Sequence, residues 1–329
     1  MLLRVKRPSV RRRLALSVCS VFLFFALAEL VARRKVDLAE RNAESCFEYD
    51  RRKVFRLKSD HAGSLDIAFR TNSHGMKDDP VRPKGHRFRI LLLGDSVTFG
   101  DGIPHPFLFA TVMERLCPGL DVLNTACPGN GLWQEYWDLR RGLRFKPDLI
   151  LLQFTTNDLE DQWFCRRHDG IGTDFHGVPD VPFYHFWLSQ RSALYLLLRR
   201  AAGRLLAKMV GEKKVHKTFC KEVLPQLRRE YVEVLTRLFK KAGKIPVVIA
   251  VFPRNGDTEE YDPHALFEPF AEKARVLYVW EELRGDYRWQ ALFRDADHLN
   301  ARGHQVVAQW LLMHLEQEIG LVNPAAPGS

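Results

Sequence analysis

The sequence predicts an α/β protein, a three-layer sandwich in which helices cover both faces of a five-stranded, mostly parallel sheet. Three observations carry this prediction. From Phe88 onward, apolar runs too short to be helices alternate with amphipathic helical stretches, the pattern of parallel strands joined by crossover helices. The runs at residues 90–93 and 148–154 are almost continuously apolar, as strands buried on both faces require. A length of 329 residues with 46% hydrophobic content suffices for one large domain with extensions, not for two full-sized ones.

Taken in order, the first element is an N-terminal segment. Residues 1–35 hold nine Lys or Arg and one acid, Glu29, so eight of the chain's ten net positive charges lie there. The basicity therefore marks a terminus, not a binding face, and no nucleic acid is expected as a partner. Arg4, Lys6, Arg7, Arg11, Arg12 and Arg13 precede an apolar run from Leu14 to Ala28, and Arg33, Arg34 and Lys35 follow it. At 1.5 Å per residue the run covers about 22 Å, and extension to Ala32 reaches about 28 Å, against a hydrocarbon core of roughly 30 Å. That length lies between a signal segment and a membrane anchor. Ala26-Leu-Ala28 would also satisfy a small-residue cleavage rule, which would yield a secreted protein. The excess of basic residues before the run predicts a single pass with a cytoplasmic N-terminus and residues 36–329 outside the cytoplasm.

Residues 36–87 read as an extracytoplasmic lead-in, polar and broken by Gly and Pro, with a strand at 65–70. The domain proper is expected over 88–320, with a tail at 321–329. Its first strand, 90–93, is closed by Gly94, so Ser96 stands just past a strand's C-terminal end, the edge where open α/β sheets bind ligands. Helix capping is the structural alternative for the same Asp and Ser. Helices are expected at 107–117 and 132–145, stopped by Pro118-Gly119 and by Pro147, around a second strand near Val122.

Residues 159–220 interrupt the alternation after the third strand. Cys165, His168, Asp169, Asp174 and His176 lack a recognised metal-ligand spacing and read as a solvated loop. Residues 189–210 set Leu194, Leu197, Leu198, Ala201, Leu205 and Met209 against Arg199, Arg200, Arg204 and Lys208. This is a basic amphipathic helix, expected to pack on the domain, with a lid or a surface for anionic lipid as the functional alternative. Helices at 221–242, 263–274 and 301–319 and strands at 245–252 and 276–280 complete the pattern. Cys19 lies in the N-terminal segment, and Cys117 and Cys127 flank one strand at opposite ends, too far apart to bond. Cys165 with Cys220, or either with Cys46, are the remaining pairings.

Near the end, Asp295 precedes His298 by three residues, just before a helix whose N-cap is Asn300. Serine, histidine and carboxylate are the parts of an activated nucleophile: attacking oxygen, base and orienter. Asp295 can fold back on the imidazole by a turn, whereas Asp297, adjacent to His298 in an extended segment, should face away.

Gly94-Asp95-Ser96-x-Thr98-x-Gly100 together with Asp295-x-x-His298 resembles the SGNH, or GDSL-type, hydrolase family. Two further stretches are similar to its other blocks: Val122 to Asn130, which contains Gly129, and Thr155-Thr-Asn157-Asp158. The resemblance implies the flavodoxin-like SGNH hydrolase fold, with Ser96 as nucleophile, His298 as base and Asp295 as orienter. It implies an oxyanion hole made by the Ser96 and Gly129 backbone N–H groups and the Asn157 side chain. Asp95 and Asp158 are expected to brace their loops, and neither a metal nor an organic cofactor is needed. Ala126 stands where many members carry glycine, and Thr155 where glycine is usual two residues before the asparagine. These departures bear on backbone shape, not on the catalytic groups. The implied reaction is cleavage of an O-acyl ester on a small molecule, glycan or lipid. Three rivals would use the same fold: an extracytoplasmic polysaccharide O-acyltransferase, a lipid-directed phospholipase, and a non-enzymatic binding protein.

Overall fold

Strands that are apolar at every position need cover on both faces, and the computed structural model of the chain supplies it. The structure describes residues 9–36, 46–159, 172–173, 179–180, 187–210, 224–252, 262–279, 281, 283 and 289–316. Helix α1 (Val10–Lys35) comes first, and two antiparallel pairs follow: β1 (Phe47–Asp50) with β2 (Val54–Leu57), and β3 (Ala62–Ser64) with β4 (Ala68–Arg70). The central strands are β5 (Phe88–Leu93), β6 (Leu120–Asn124) and β7 (Leu149–Phe154), then, after a short β8 (Gly172–Thr173) and β9 (Pro179–Asp180) pair, β10 (Val247–Val251) and β11 (Arg275–Tyr278). They lie in the order β11-β10-β7-β5-β6 with every pairing parallel, so the expected mostly parallel sheet is wholly parallel. The chain builds outward to β6 on one side of β5 and to β7 on the other. Such a switch leaves a crevice between the C-terminal ends of β5 and β7.

The helices are α2 (Ser96–Phe99), α3 (Phe109–Leu116), α4 (Leu132–Gly142), α5 (Ala193–Val210), α6 (Leu224–Ala242), α7 (Pro263–Phe267) and α8 (Ala301–His314). Because strand side chains alternate, Ile90, Leu92, Val122 and Leu151 join Phe109, Met113, Val307 and Leu311 under α3 and α8. Leu91, Leu93, Leu123 and Leu152 join Leu132, Leu139, Tyr231 and Leu238 under α4 and α6. Truncating any one of these leucines to alanine would cost about 2–5 kcal/mol. The helix expected over 263–274 stops at Phe267 and continues only as a 3-10 turn, Glu268–Phe270. Pro269 cannot donate the bond that would extend it.

Helix α1 is 26 residues long, with an 18-residue window of mean hydropathy 2.4 and none of that window buried. It fits a single-pass membrane anchor or a signal sequence. In helix α5 the buried residues among those described, Ala193 and Leu196, do not join either central cluster but form a small one with Ala32 and Val36 at the end of α1. Cys117 and Cys127 are buried thiols at opposite ends of β6. The expected pairings of Cys165 and Cys220 lie outside the described residues, as do His168, Asp169, Asp174 and His176. Among the described residues no group of three or more His, Cys, Asp or Glu could hold a metal ion.

Candidate active site

The loops leaving β5 and β7 meet in the crevice, and both are polar. A Cβ at Gly94 would stand 2.5 Å from both Gln153 Oε1 and Thr98 Oγ1, so this tight turn has no room for a side chain. Asp95 then caps α2, accepting the Val97 N–H on Oδ1 at 2.9 Å. Its Oδ2 accepts from Asn157 Nδ2 at 2.8 Å and from Thr155 Oγ1 at 3.4 Å. Gln153 Oε1 accepts from Thr98 Oγ1 at 2.8 Å and from the Asp95 N–H at 3.3 Å, while its Nε2 donates to Thr155 Oγ1 at 3.2 Å. Asp158 Oδ2 accepts the Thr155 N–H at 2.9 Å. Asp95, Thr98, Gln153, Thr155 and Asp158 are all buried. Burial pushes the Asp95 carboxyl above its ordinary value, against the opposing pull of Asn157, the Val97 N–H and His298.

The second half of the site is a tight turn just before α8. Asp295 Oδ1 accepts the N–H groups of Asp297 at 3.0 Å and His298 at 2.9 Å, and the Arg294 N–H donates to His298 O at 2.8 Å. Asn300 caps α8 by accepting the Gly303 N–H at 3.0 Å, which fixes where the turn ends. The result sets carboxylate against imidazole: His298 Nδ1 lies 2.9 and 3.0 Å from the two Asp295 oxygens. His298 Nε2 lies 3.0 Å from Ser96 Oγ. With Asp295 ionised, Nδ1 carries the proton and Nε2 is left to accept from the serine hydroxyl.

Arg294 braces this carboxylate, donating from Nε and Nη2 to Asp295 Oδ2 at 3.2 and 3.0 Å. Its Nη2 also pairs with Asp66 of the lead-in at 2.6 Å. Partial burial by itself would raise the Asp295 pKa. The Asp297 and His298 N–H groups and the Arg294 guanidinium outweigh it and hold the group well below the usual carboxylate range. Serine, imidazole and ionised carboxylate in one hydrogen-bonded row can activate an oxygen nucleophile.

Gly129 takes φ 76°, in the left-handed region that glycine enters without strain. Its loop is stitched to the turn that carries Ser96, because the Cys127 N–H and Asn130 Nδ2 both donate to Gly94 O, at 3.4 and 3.3 Å. Asn130 Nδ2 also donates to Asp138, which pairs with the buried Lys53 of the lead-in. Ala126 and Thr155 fit without strain: among the described residues, positive φ outside glycine occurs only at Asp60 and Lys146.

Four contributors were not anticipated from the sequence. Gln153 carried a signal, being the one polar side chain in an apolar strand. Arg294 carried none beyond its position next to Asp295. Lys77, buried in the lead-in, donates from Nζ to Gly100 O at 2.9 Å and Ile103 O at 2.7 Å behind α2, and burial pushes its pKa down to about 8. His304 of α8, fully buried, accepts the Phe109 N–H on Nδ1 at 3.1 Å, and burial lowers its pKa to about 3.

The sequence model of the GDSL-like lipase/acylhydrolase family matches residues 92–306. A search of the curated proteins finds no match. Among solved structures, the chain is similar to a lipolytic protein of the G-D-S-L family from Veillonella parvula, at 13% identity and TM-score 0.43, covering 70% of this chain and 98% of that one. It is similar to the psychrotrophic esterase EstA from Pseudoalteromonas sp. at 12% identity and TM-score 0.43, covering 71% and 99%. A lipase/acylhydrolase from Enterococcus faecalis gives 14% identity and TM-score 0.42, covering 72% and 99%.

Proposed function

The chain belongs to the GDSL-like lipase/acylhydrolase family, hydrolases acting on ester bonds, and from that premise we propose that Ser96 is the nucleophile of a serine esterase. The observation that carries this reading is the 3.0 Å contact of Ser96 Oγ with His298 Nε2, with His298 Nδ1 held by Asp295. Ser96 Oγ attacks the ester carbonyl carbon as His298 takes its proton. His298 then protonates the leaving alcohol, and Asp295 holds the tautomer and stabilises the imidazolium. Water, deprotonated by His298, attacks the acyl-serine and releases the acid. The oxyanion is assigned to the Ser96 and Gly129 N–H groups and to Asn157. One N–H of the Asn157 amide is held by Asp95, which aims the group, and the family resemblance gives the other to the oxyanion.

The substrate is an O-acyl ester of a carbohydrate or a lipid. Residues 1–35 serve as the anchor, with α1 crossing the membrane from a cytoplasmic N-terminus and the catalytic body, residues 88–320, outside the cytoplasm behind the 36–87 lead-in. An ester panel running from acetyl to palmitoyl on sugar, aryl and glycerol alcohols tests the activity, with and without a free sugar acceptor. A fluorophosphonate should label Ser96 in the wild type and leave Ser96→Ala unlabelled. Ester cleavage by Ser96→Ala at the wild-type rate would overturn the assignment. Accumulation of acylated acceptor in place of free acid would convert the esterase into an acyltransferase.

A further inference from the structure

Glu29 stands one residue past the apolar run of α1, and its carboxylate caps a helix from the far side of the sequence. The Ala193 N–H donates to Glu29 Oε1 at 3.0 Å, the Leu194 N–H to Oε2 at 3.0 Å and Ser192 Oγ to Oε2 at 2.8 Å. Arg33 completes the group at 2.8 Å from the same helix. The first N–H groups of a helix have no partners within it, and two of those of α5 are given to Glu29. Below this cap, Ala32, Val36, Ala193 and Leu196 bury one another. Helix α5 therefore begins beside the point where α1 leaves its apolar run.

From that point α5 carries four basic residues and no acid over its 18 positions. Leu198 and Leu205 are each 60% exposed, and Arg199 and Arg200 lie between them. The last turn of α1 adds Arg33, Arg34 and Lys35 beside it. Exposed leucines set among cations, at the mouth of a membrane helix, suit anionic headgroups above and acyl chains below. We propose that α5 lies on the membrane surface, docked on anionic phospholipid, with Glu29 as the pin that holds it there. The pin continues into the lead-in, where Gln190 Nε2 donates to Phe47 O at 2.9 Å and Lys58 Nζ donates to Gln190 Oε1 at 3.3 Å, and the lead-in in turn reaches the catalytic body through the Asp66–Arg294 pair. The active site is thereby held at a set height above the bilayer. The proposal rests on the reading of α1 as a membrane helix.

The test uses the full chain reconstituted in vesicles of phosphatidylglycerol and phosphatidylethanolamine and washed with alkaline carbonate. p-Benzoylphenylalanine replaces Leu198, Leu205 or, as a control, Met313 of α8, which is 57% exposed. After irradiation, covalent lipid adducts are counted by mass spectrometry. Positions 198 and 205 should give several times the adduct of position 313, and Arg199→Glu with Arg200→Glu should reduce it. Glu29→Ala should reduce the adduct at 198 while hydrolysis of a short soluble ester stays unchanged. Equal yields at the three positions in a carbonate-resistant chain overturn the proposal and leave the anchor reading standing. So does a full yield at 198 in Glu29→Ala. Release of the chain by carbonate overturns the anchor reading and the proposal with it.

Discussion

Asp95→Asn tests how Asn157, the oxyanion donor proposed above, is aimed. Three donors converge on two carboxylate oxygens: the Val97 N–H, Asn157 Nδ2 and Thr155 Oγ1. An amide of the same shape offers one oxygen, so either Val97 or Asn157 must face an NH2 group. Leaving one buried donor unsatisfied costs about 1–3 kcal/mol, equivalent to roughly 5- to 150-fold in a rate. Asparagine is itself a good N-cap, so the oxygen should stay on Val97 and the loss should fall on Asn157, in kcat more than in Tm. Asn157→Ala removes the donor outright and should cost about 3 kcal/mol, or roughly 100- to 1,000-fold in kcat. Both changes act on one group, so adding Asp95→Asn to Asn157→Ala should lower kcat by less than about threefold further. The assay is kcat on a short aryl ester for the wild type, both single variants and the double, each with a thermal melt. Losses that multiply in the double variant would show that Asp95 does not act through Asn157. A loss under about threefold in Asn157→Ala, far below the usual cost of such a donor, would remove that residue from the site.

Asp295→Asn should depress kcat/KM far more than Asp297→Asn, by up to about 10⁴-fold, because it frees His298 to take the wrong tautomer; greater damage in the Asp297 variant would reverse the assignment. His304 has a folded pKa of about 3 against an ordinary value near 6.5, so between those limits the unfolded chain binds more protons and stability falls as pH drops. His304→Asn keeps an acceptor for the Phe109 N–H and removes the titration, so its Tm should fall less steeply below pH 6.5 than the wild type's; parallel slopes would assign the acid loss to other groups. For topology, alkaline phosphatase fused after Ser329 should be active; an inactive fusion, with an active cytoplasmic reporter at the same joint, would reverse the orientation.

The central sheet was legible because burial on both faces leaves little choice of residue: β5, β7 and β10 are apolar nearly throughout, and each lies within two residues of its expected place. The meeting of Ser96, His298 and Asp295 was legible because each sits in a short local pattern. The bracing around them was not. Lys77 and Asp66 reach the site from the polar lead-in, where nothing local marks either side chain for a partner far along the chain, and only the fold brings a lysine under Gly100 and Ile103. The β1–β2 hairpin was missed because its strands are only four residues each: Phe47 to Asp50 alternates but is too short to stand out, and Val54 to Leu57 does not alternate. Helix α5 was recognised from its period, but a period reports that a face is apolar and not what covers it.

The buried lysines of the lead-in decide where the polypeptide can be shortened. Cutting at residue 88, where the strand and helix alternation begins, would remove Lys53 and break its ion pair with the buried Asp138. It would also strip Cys46, Leu57 and Phe69 from Phe99, Ala126 and Cys127, laying bare the back of both loops that flank Ser96. A buried charge deprived of its partner alone costs about 3–5 kcal/mol, much of the 5–15 kcal/mol that typically holds a domain together. A soluble enzyme for crystallisation or screening should therefore begin between α1 and Cys46, and a fragment trimmed to the catalytic motifs should precipitate.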